Sequence, residues 1–148
     1  MSGSKTPRQG WLAVLARSTA AELSEHLATL PPLPPHKCLR GPEVGMVLLR
    51  GRAGGDGAAF NVGEATLARC TVLADGIAGH ATALGRDTAL VELAARIDAA
   101  LQDPAWHGRL ADEVIAPLAA AQEARRRASA GSAAATRVEF ATLATMRG

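Results

Sequence analysis

The chain has 148 residues, 48% of them hydrophobic and 20% charged, which fits one globular domain with its own core and excludes wholesale disorder. Sixteen basic and fourteen acidic side chains leave a formal charge of +2, too small for the extended positive field of a duplex-binding protein, so nucleic acid is not an expected partner. Aromatic residues make up only 3% and tyrosine is missing, so Ala, Leu and Val must fill the interior and modest stability in isolation is expected. Residues 1–7 are polar and lack the apolar stretch of a signal peptide, and no apolar run reaches spanning length. A bacterial cytoplasmic protein without membrane association is the resulting expectation.

Over residues 8–30, Trp11, Leu12 and Leu15 and then Leu23, Leu27 and Leu30 recur at helical spacing, with Ser18 and Thr19 placed to cap the second segment. A helical hairpin is predicted. It ends at residues 31–35, where Pro31, Pro32, Pro34 and Pro35 fix φ and remove donors, unsuited to a helix interior or a central strand. A polyproline II connector is preferred there to a ligand for SH3-type domains.

Strand grammar occupies residues 38–84. Met46-Val47-Leu48-Leu49 runs into Arg50-Gly51-Arg52, a glycine-rich loop follows over 53–57, and a second strand spans about 64 to 73. Asp75-Gly76 is a two-residue hairpin signal between Leu73 and Ile77 and starts a third strand ending near Leu84. Residues 87–102 return to helix, with Leu90, Ala94, Ile97 and Leu101 on one stripe and Asp87 or Thr88 as N-cap, so this helix should cover one sheet face. Asp103-Pro104 ends it. A last helical region over 106–130 is interrupted or restarted at Pro117, which suits a first helical position. Residues 128–135 are small, and 137–143 alternate briefly in a tail, 136–148, that reads as a docking segment. The predicted fold is α+β in a single domain over 1–148: an antiparallel sheet of three or more strands, flanked by the N-terminal helical hairpin, a covering helix and a C-terminal helical arm.

Chemistry-bearing residues are sparse. Gly54-Gly55-Asp56-Gly57 has the glycine content of a phosphate-cradling loop, but it lacks the GxxxxGK[ST] order and joins two strands, so a plain hairpin loop is preferred. Arg50 and Arg52 lie two apart on a strand and project to one face, where they could fork onto an anion together with Arg69; a solvated or ion-paired face is the blander alternative. His80 sits mid-strand after Gly79 and lacks an HxH or HExxH partner, so a hydrogen-bonded structural role is preferred. Cys38 and Cys70 have no CxxC spacing, and no metal site is predicted. No GxSxG elbow or Ser/His/Asp set appears, so no catalytic residue is assigned and an unaided hydrolase is not expected. Arg125-Arg126-Arg127 reads as positive charge complementing a helix carbonyl end.

Taken in order, several segments resemble the PhnG family, the small G subunit of the bacterial carbon–phosphorus lyase core complex. They begin with Arg8-Gln9-Gly10-Trp11 and Val14-Leu15-Ala16, and continue through Arg40-Gly41-Pro42-Glu43-Val44-Gly45 and Arg50-Gly51-Arg52-Ala53-Gly54-Gly55-Asp56-Gly57. Phe60-Asn61-Val62-Gly63-Glu64, Thr66, Arg69-Cys70, Gly79-His80 and Gly85-Arg86-Asp87 follow, then Glu92-Leu93-Ala94, Asp98-Ala99, Ile115-Ala116-Pro117 and Thr136-Arg137-Val138-Glu139-Phe140. Thr82 and Ala141 depart from the pattern, where an aromatic residue is expected at each.

The resemblance implies an accessory subunit of a transferase that displaces adenine from ATP with an alkylphosphonate, giving ribose 1-phosphonate 5-triphosphate in phosphonate catabolism. It implies I, H and J subunits as partners, the I subunit most directly. No cofactor is expected in this subunit, and ATP with magnesium enters as a substrate of the complex. The radical step and its iron–sulfur cluster would belong to the J subunit, in keeping with the lack of cluster-spaced cysteines here. Partner contacts are expected from the tail through Arg137, Val138 and Phe140, burying apolar area worth about 25 cal/mol per Å². An alternative makes the chain an anion-binding module, with Arg50, Arg52, Arg69, His80 and Arg86 forming a triphosphate or phosphonate pocket.

Overall fold

A computed structural model describes the backbone of residues 6–52, 57 and 59–147, and the side chains of these apart from 52, 59, 61 and 132–147. Two short helices come first, α1 over Pro7–Ala16 and α2 over Ala20–Leu27. Thr6 opens α1 in a capping box with Gln9, ahead of Pro7 in the first turn, where a missing N–H costs nothing. Thr19 caps α2, whereas Ser18 is buried and donates its hydroxyl to the Val14 carbonyl. Residues 31–35 have no regular structure and lead into the sheet.

Three antiparallel strands follow in spatial order β1-β2-β3: β1 over His36–Arg52, β2 over Ala59–Ala74 and β3 over Ile77–Leu84. The fold is α+β. Both hairpin strands begin earlier than the sequence pattern suggests, at 36 in place of 46 and at 59 in place of 64. The early part of β1 is masked in sequence by register shifts between Cys38 and Arg40 and between Arg40 and Glu43, around Gly41 and Pro42. A proline is tolerated there because β1 is an edge strand. Gly41, at φ 74, is required: a Cβ would stand 2.7 Å from the Arg69 carbonyl oxygen. The β2–β3 turn forms at Asp75-Gly76, both in the left-handed region, with Ala74 opposite Ile77, as a tight hairpin demands.

Helix α3, Thr88–Leu101, is capped by the Asp87 carboxylate, which accepts from the Leu90 N–H. It lies across the inner face of the sheet. Ala68, Cys70 and Val72 of β2 and Ala81 and Ala83 of β3 are buried in one core with Leu90, Val91, Ala94, Ile97 and Leu101, and Leu15, Leu23, Leu110, Val114 and Leu118 close it from the remaining helices. Small side chains let the layers approach. At Gly79 a Cβ would run into the Ala95 carbonyl and come 2.7 Å from the Ala99 nitrogen, so β3 and α3 touch backbone to backbone.

Asp103 caps a further helix, α4 over Pro104–Leu110, with Pro104 in its first turn. The interruption expected near Pro117 is present as a change of helix type. Residues Ala111–Ile115 form a π turn in which the Ala116 N–H donates to the Ala111 carbonyl, and α5 continues from Ala116 to Arg147. Widening one turn accommodates the proline ring without a break. The backbone of 137–143 is helical, not extended as its brief alternation suggests. Ala, Arg, Leu, Met and Glu are good helix formers, and Gly131 alone does not overcome them. No helix among the described residues is long and apolar enough to cross a membrane.

Candidate functional site

The buried polar centre is Asp98, on α3, 0% exposed. Its carboxylate accepts from Arg8 at 2.8 and 3.2 Å, from the Trp11 indole at 2.7 Å, and from the His80 backbone N–H at 2.8 Å. Arg8 gains most from this, its guanidinium pKa held above the ordinary value by the hydrogen bond to Asp98. A buried carboxylate needs this many donors to offset desolvation. Gly79 supplies the close approach that lets Asp98 reach β3. Three motif fragments far apart in sequence thus meet at one point and fix β3 and α1 on α3. Asp98 was legible only as part of a motif; its role as acceptor was not.

On the opposite, open face of the sheet, Arg69 and Arg40 both donate to Glu43 Oε1, at 2.6 and 3.0 Å. These contacts hold the Glu43 carboxyl below its ordinary range, Arg69 contributing most. One strand further, His80 Nδ1 lies 3.0 Å from the Thr71 hydroxyl. The polar band therefore runs Arg40, Glu43, Arg69, Thr71, His80.

The residues predicted to gather an anion do not lie together. Arg69 and His80 are neighbours on the open face, on paired strands. Arg50 pairs with Asn61, eight residues along β2 from Arg69, roughly 26 Å at strand rise. Arg86 is exposed in the turn before α3. The Arg52 side chain, and the residues Gly54, Gly55 and Asp56 of the glycine loop, lie outside the described residues, as do the side chains of Arg137, Val138 and Phe140. Within one copy of this chain, Arg50 and Arg69 do not share a pocket.

The surface that sequence reasoning missed is apolar. β3 pairs with β2 only over residues 67–74, so the outer part of the β1–β2 hairpin is a two-stranded arm beyond both β3 and α3. Val44, Met46 and Leu48 of β1 continue the inner face of the sheet past the helix, whereas the register shift beside Leu49 turns Val62 and Phe60, the latter paired with Gly51, onto the other face. Met46 is 63% exposed, Leu48 55%, Val62 57% and Phe60 49%. Val47 and Leu49 are exposed on the other face of the arm. The signal was present as a mismatch of lengths, strands of 17 and 16 residues beside one of 8. Contiguous exposed apolar area on a ribbon with no third strand marks a binding surface.

Residues 6–148 match the family model described as phosphonate metabolism protein PhnG. The chain is also similar to the alpha-D-ribose 1-methylphosphonate 5-triphosphate synthase subunit PhnG of Rhizobium meliloti (strain 1021). The two are 42% identical over 137 residues, which cover 92% of this chain and 87% of that protein.

Proposed function

The chain belongs to the PhnG family, and from that premise we propose that it is an accessory subunit of a carbon–phosphorus lyase complex. Its role is to support formation of ribose 1-phosphonate 5-triphosphate from ATP and an alkylphosphonate in phosphonate catabolism. The I subunit is its most direct partner, within an assembly that includes the H and J subunits. ATP with magnesium enters as a substrate of that assembly, and no cofactor is assigned to this subunit.

The observation that carries the reading is the β1–β2 arm, whose Met46, Leu48, Phe60 and Val62 have no cover among the described residues. Met46 and Leu48 lie on one face of the arm and Phe60 and Val62 on the other, and burying them against a partner supplies affinity without a reactive centre in this chain. The helical tail with Arg137, Val138 and Phe140 is proposed as a second contact.

Co-expression with the I subunit and size exclusion tests this. The wild-type chain should co-elute with it, and Met46→Asp combined with Leu48→Asp should elute separately while keeping its helical circular dichroism. Removing residues 136–148 should weaken co-elution. Separate elution of the wild-type chain, or undiminished co-elution of the double aspartate variant, contradicts docking through the arm.

A further inference from the structure

At the edge of the sheet, where β1 meets α3, three side chains converge away from the arm and from Asp98. His36 and Cys38 lie two residues apart on β1, opposite the buried Ala74 and Val72, so both face α3. Glu92 reaches them from the second turn of that helix. His36 Nε2 lies 3.5 Å from Glu92 Oε2, and Cys38 Sγ lies 3.6 Å from Glu92 Oε1. All three ligand atoms fall within 4.8 Å of one another.

These separations have a simple chemical reading. Zinc bonds of about 2.0–2.3 Å in a tetrahedron set ligand-to-ligand edges of about 3.3–3.8 Å, which the two contacts to Glu92 meet, and a spread of at most 4.8 Å among the three atoms closes with small side-chain rotations. In the metal-free state the Cys38 thiol donates to Glu92 Oε1, whereas 3.5 Å is long for a hydrogen bond between His36 and the same carboxylate. The geometry points to a zinc site made by His36 Nε2, Cys38 Sγ and the Glu92 carboxylate, with a fourth position open to solvent.

A thiolate, an imidazole and one carboxylate suit zinc, and are poor ligands for calcium or magnesium, which take oxygen shells. Without an ion, desolvation and the adjacent Glu92 carboxylate hold the Cys38 thiol above its ordinary pKa. A divalent cation reverses that balance: Cys38 releases its proton to water, and the thiolate, the carboxylate and the imidazole lone pair all gain an attractive partner. Cys70 stays outside the set. It is buried behind Cys38, and burial first, then Cys38, push its thiol up to about 12. Three protein ligands leave one position for water or for a donor from elsewhere, unlike a closed structural site.

The full-length chain, freed of metal by chelation and kept reduced with a non-thiol reductant, is titrated with cobalt(II) as a spectroscopic probe and with zinc in thermal melts. One equivalent of cobalt should give thiolate-to-metal charge-transfer absorption and the visible bands of a four-coordinate ion, both removed by zinc. Zinc should raise the melting midpoint. Cys38→Ser should abolish the charge-transfer band, and Glu92→Gln and His36→Ala should weaken binding at least about tenfold. Cys70→Ser should retain the band. A folded wild-type chain without the band, a band that persists in Cys38→Ser, or one lost in Cys70→Ser overturns the assignment.

Discussion

One strand, β2, lives in two environments. Over residues 67–74 it has β1 on one side, β3 on the other and α3 beneath, and Ala68, Cys70 and Val72 are buried. Over 59–66 its ladder partner is β1, and Phe60 and Val62 stand in the open, turned to the opposite face by the register shift beside Leu49. The covered end uses small side chains so that helix and sheet can touch, while the uncovered end carries the larger Phe, Met and Leu. The sheet lines the core with modest residues, the helices supply the buried leucines, and the bulky apolar residues of the strands are left for another surface. This difference separates what holds the chain together from what it offers to a partner, and each end can be perturbed on its own.

The largest effect is expected at the covered end. Asp98→Ala removes the acceptor shared by Arg8, Trp11 and the His80 N–H and leaves a guanidinium without its counter-ion. Arg8 is 38% exposed, so the loss is smaller than for a fully buried pair, but stripping three donors of their acceptor should still cost about 2–3 kcal/mol in urea unfolding. A loss under about 1 kcal/mol would mean that Asp98 is not what joins α1 and β3 to α3. At the uncovered end, the Met46→Asp and Leu48→Asp substitutions should change unfolding free energy by no more than about 0.5 kcal/mol each, although they prevent docking. Strong destabilisation would show instead that the arm belongs to the chain's own core.

The smallest effect belongs to the polar band between the two ends. Glu43 has its carboxyl pKa lowered by Arg69 and then Arg40, so its contribution is present above the ordinary carboxylate range and lost as pH falls through the lower folded-state value. Glu43→Gln should therefore equal the wild type at low pH and fall slightly below it near neutrality. The gap should shrink with added salt, because these groups are exposed. Carboxyl NMR titration should find the Glu43 midpoint below that of a free glutamate and moved upward in Arg69→Ala.

Much of the covered end was legible in the sequence. Helical spacing located α1, α2 and α3, Asp75-Gly76 located the tight turn, and Asp87 located the cap, because each is a local signal with a local cause. The interruption expected at Pro117 is present, but its form, a π turn over 111–115 ahead of the ring, depends on the helix before it and had no local signal. The site was harder to see. Asp98 draws its partners from positions 8, 11 and 80, and His36 and Cys38 acquire Glu92 only when α3 folds back on β1. Arg50 and Arg69 look equivalent in sequence, yet the register puts them at different ends of the hairpin. The arm followed from strand lengths, which the bulged start of β1 concealed.

Hydrogen exchange of the chain alone and in complex with the I subunit tests the central claim most directly. Alone, amides over residues 44–50 and 60–66 should exchange fast while those over 68–74 and 90–101 stay protected; in the complex, protection should appear in the first set and change little in the second. Protection that appears elsewhere, with the arm still exchanging freely, would contradict the arm as the surface through which this subunit joins its assembly.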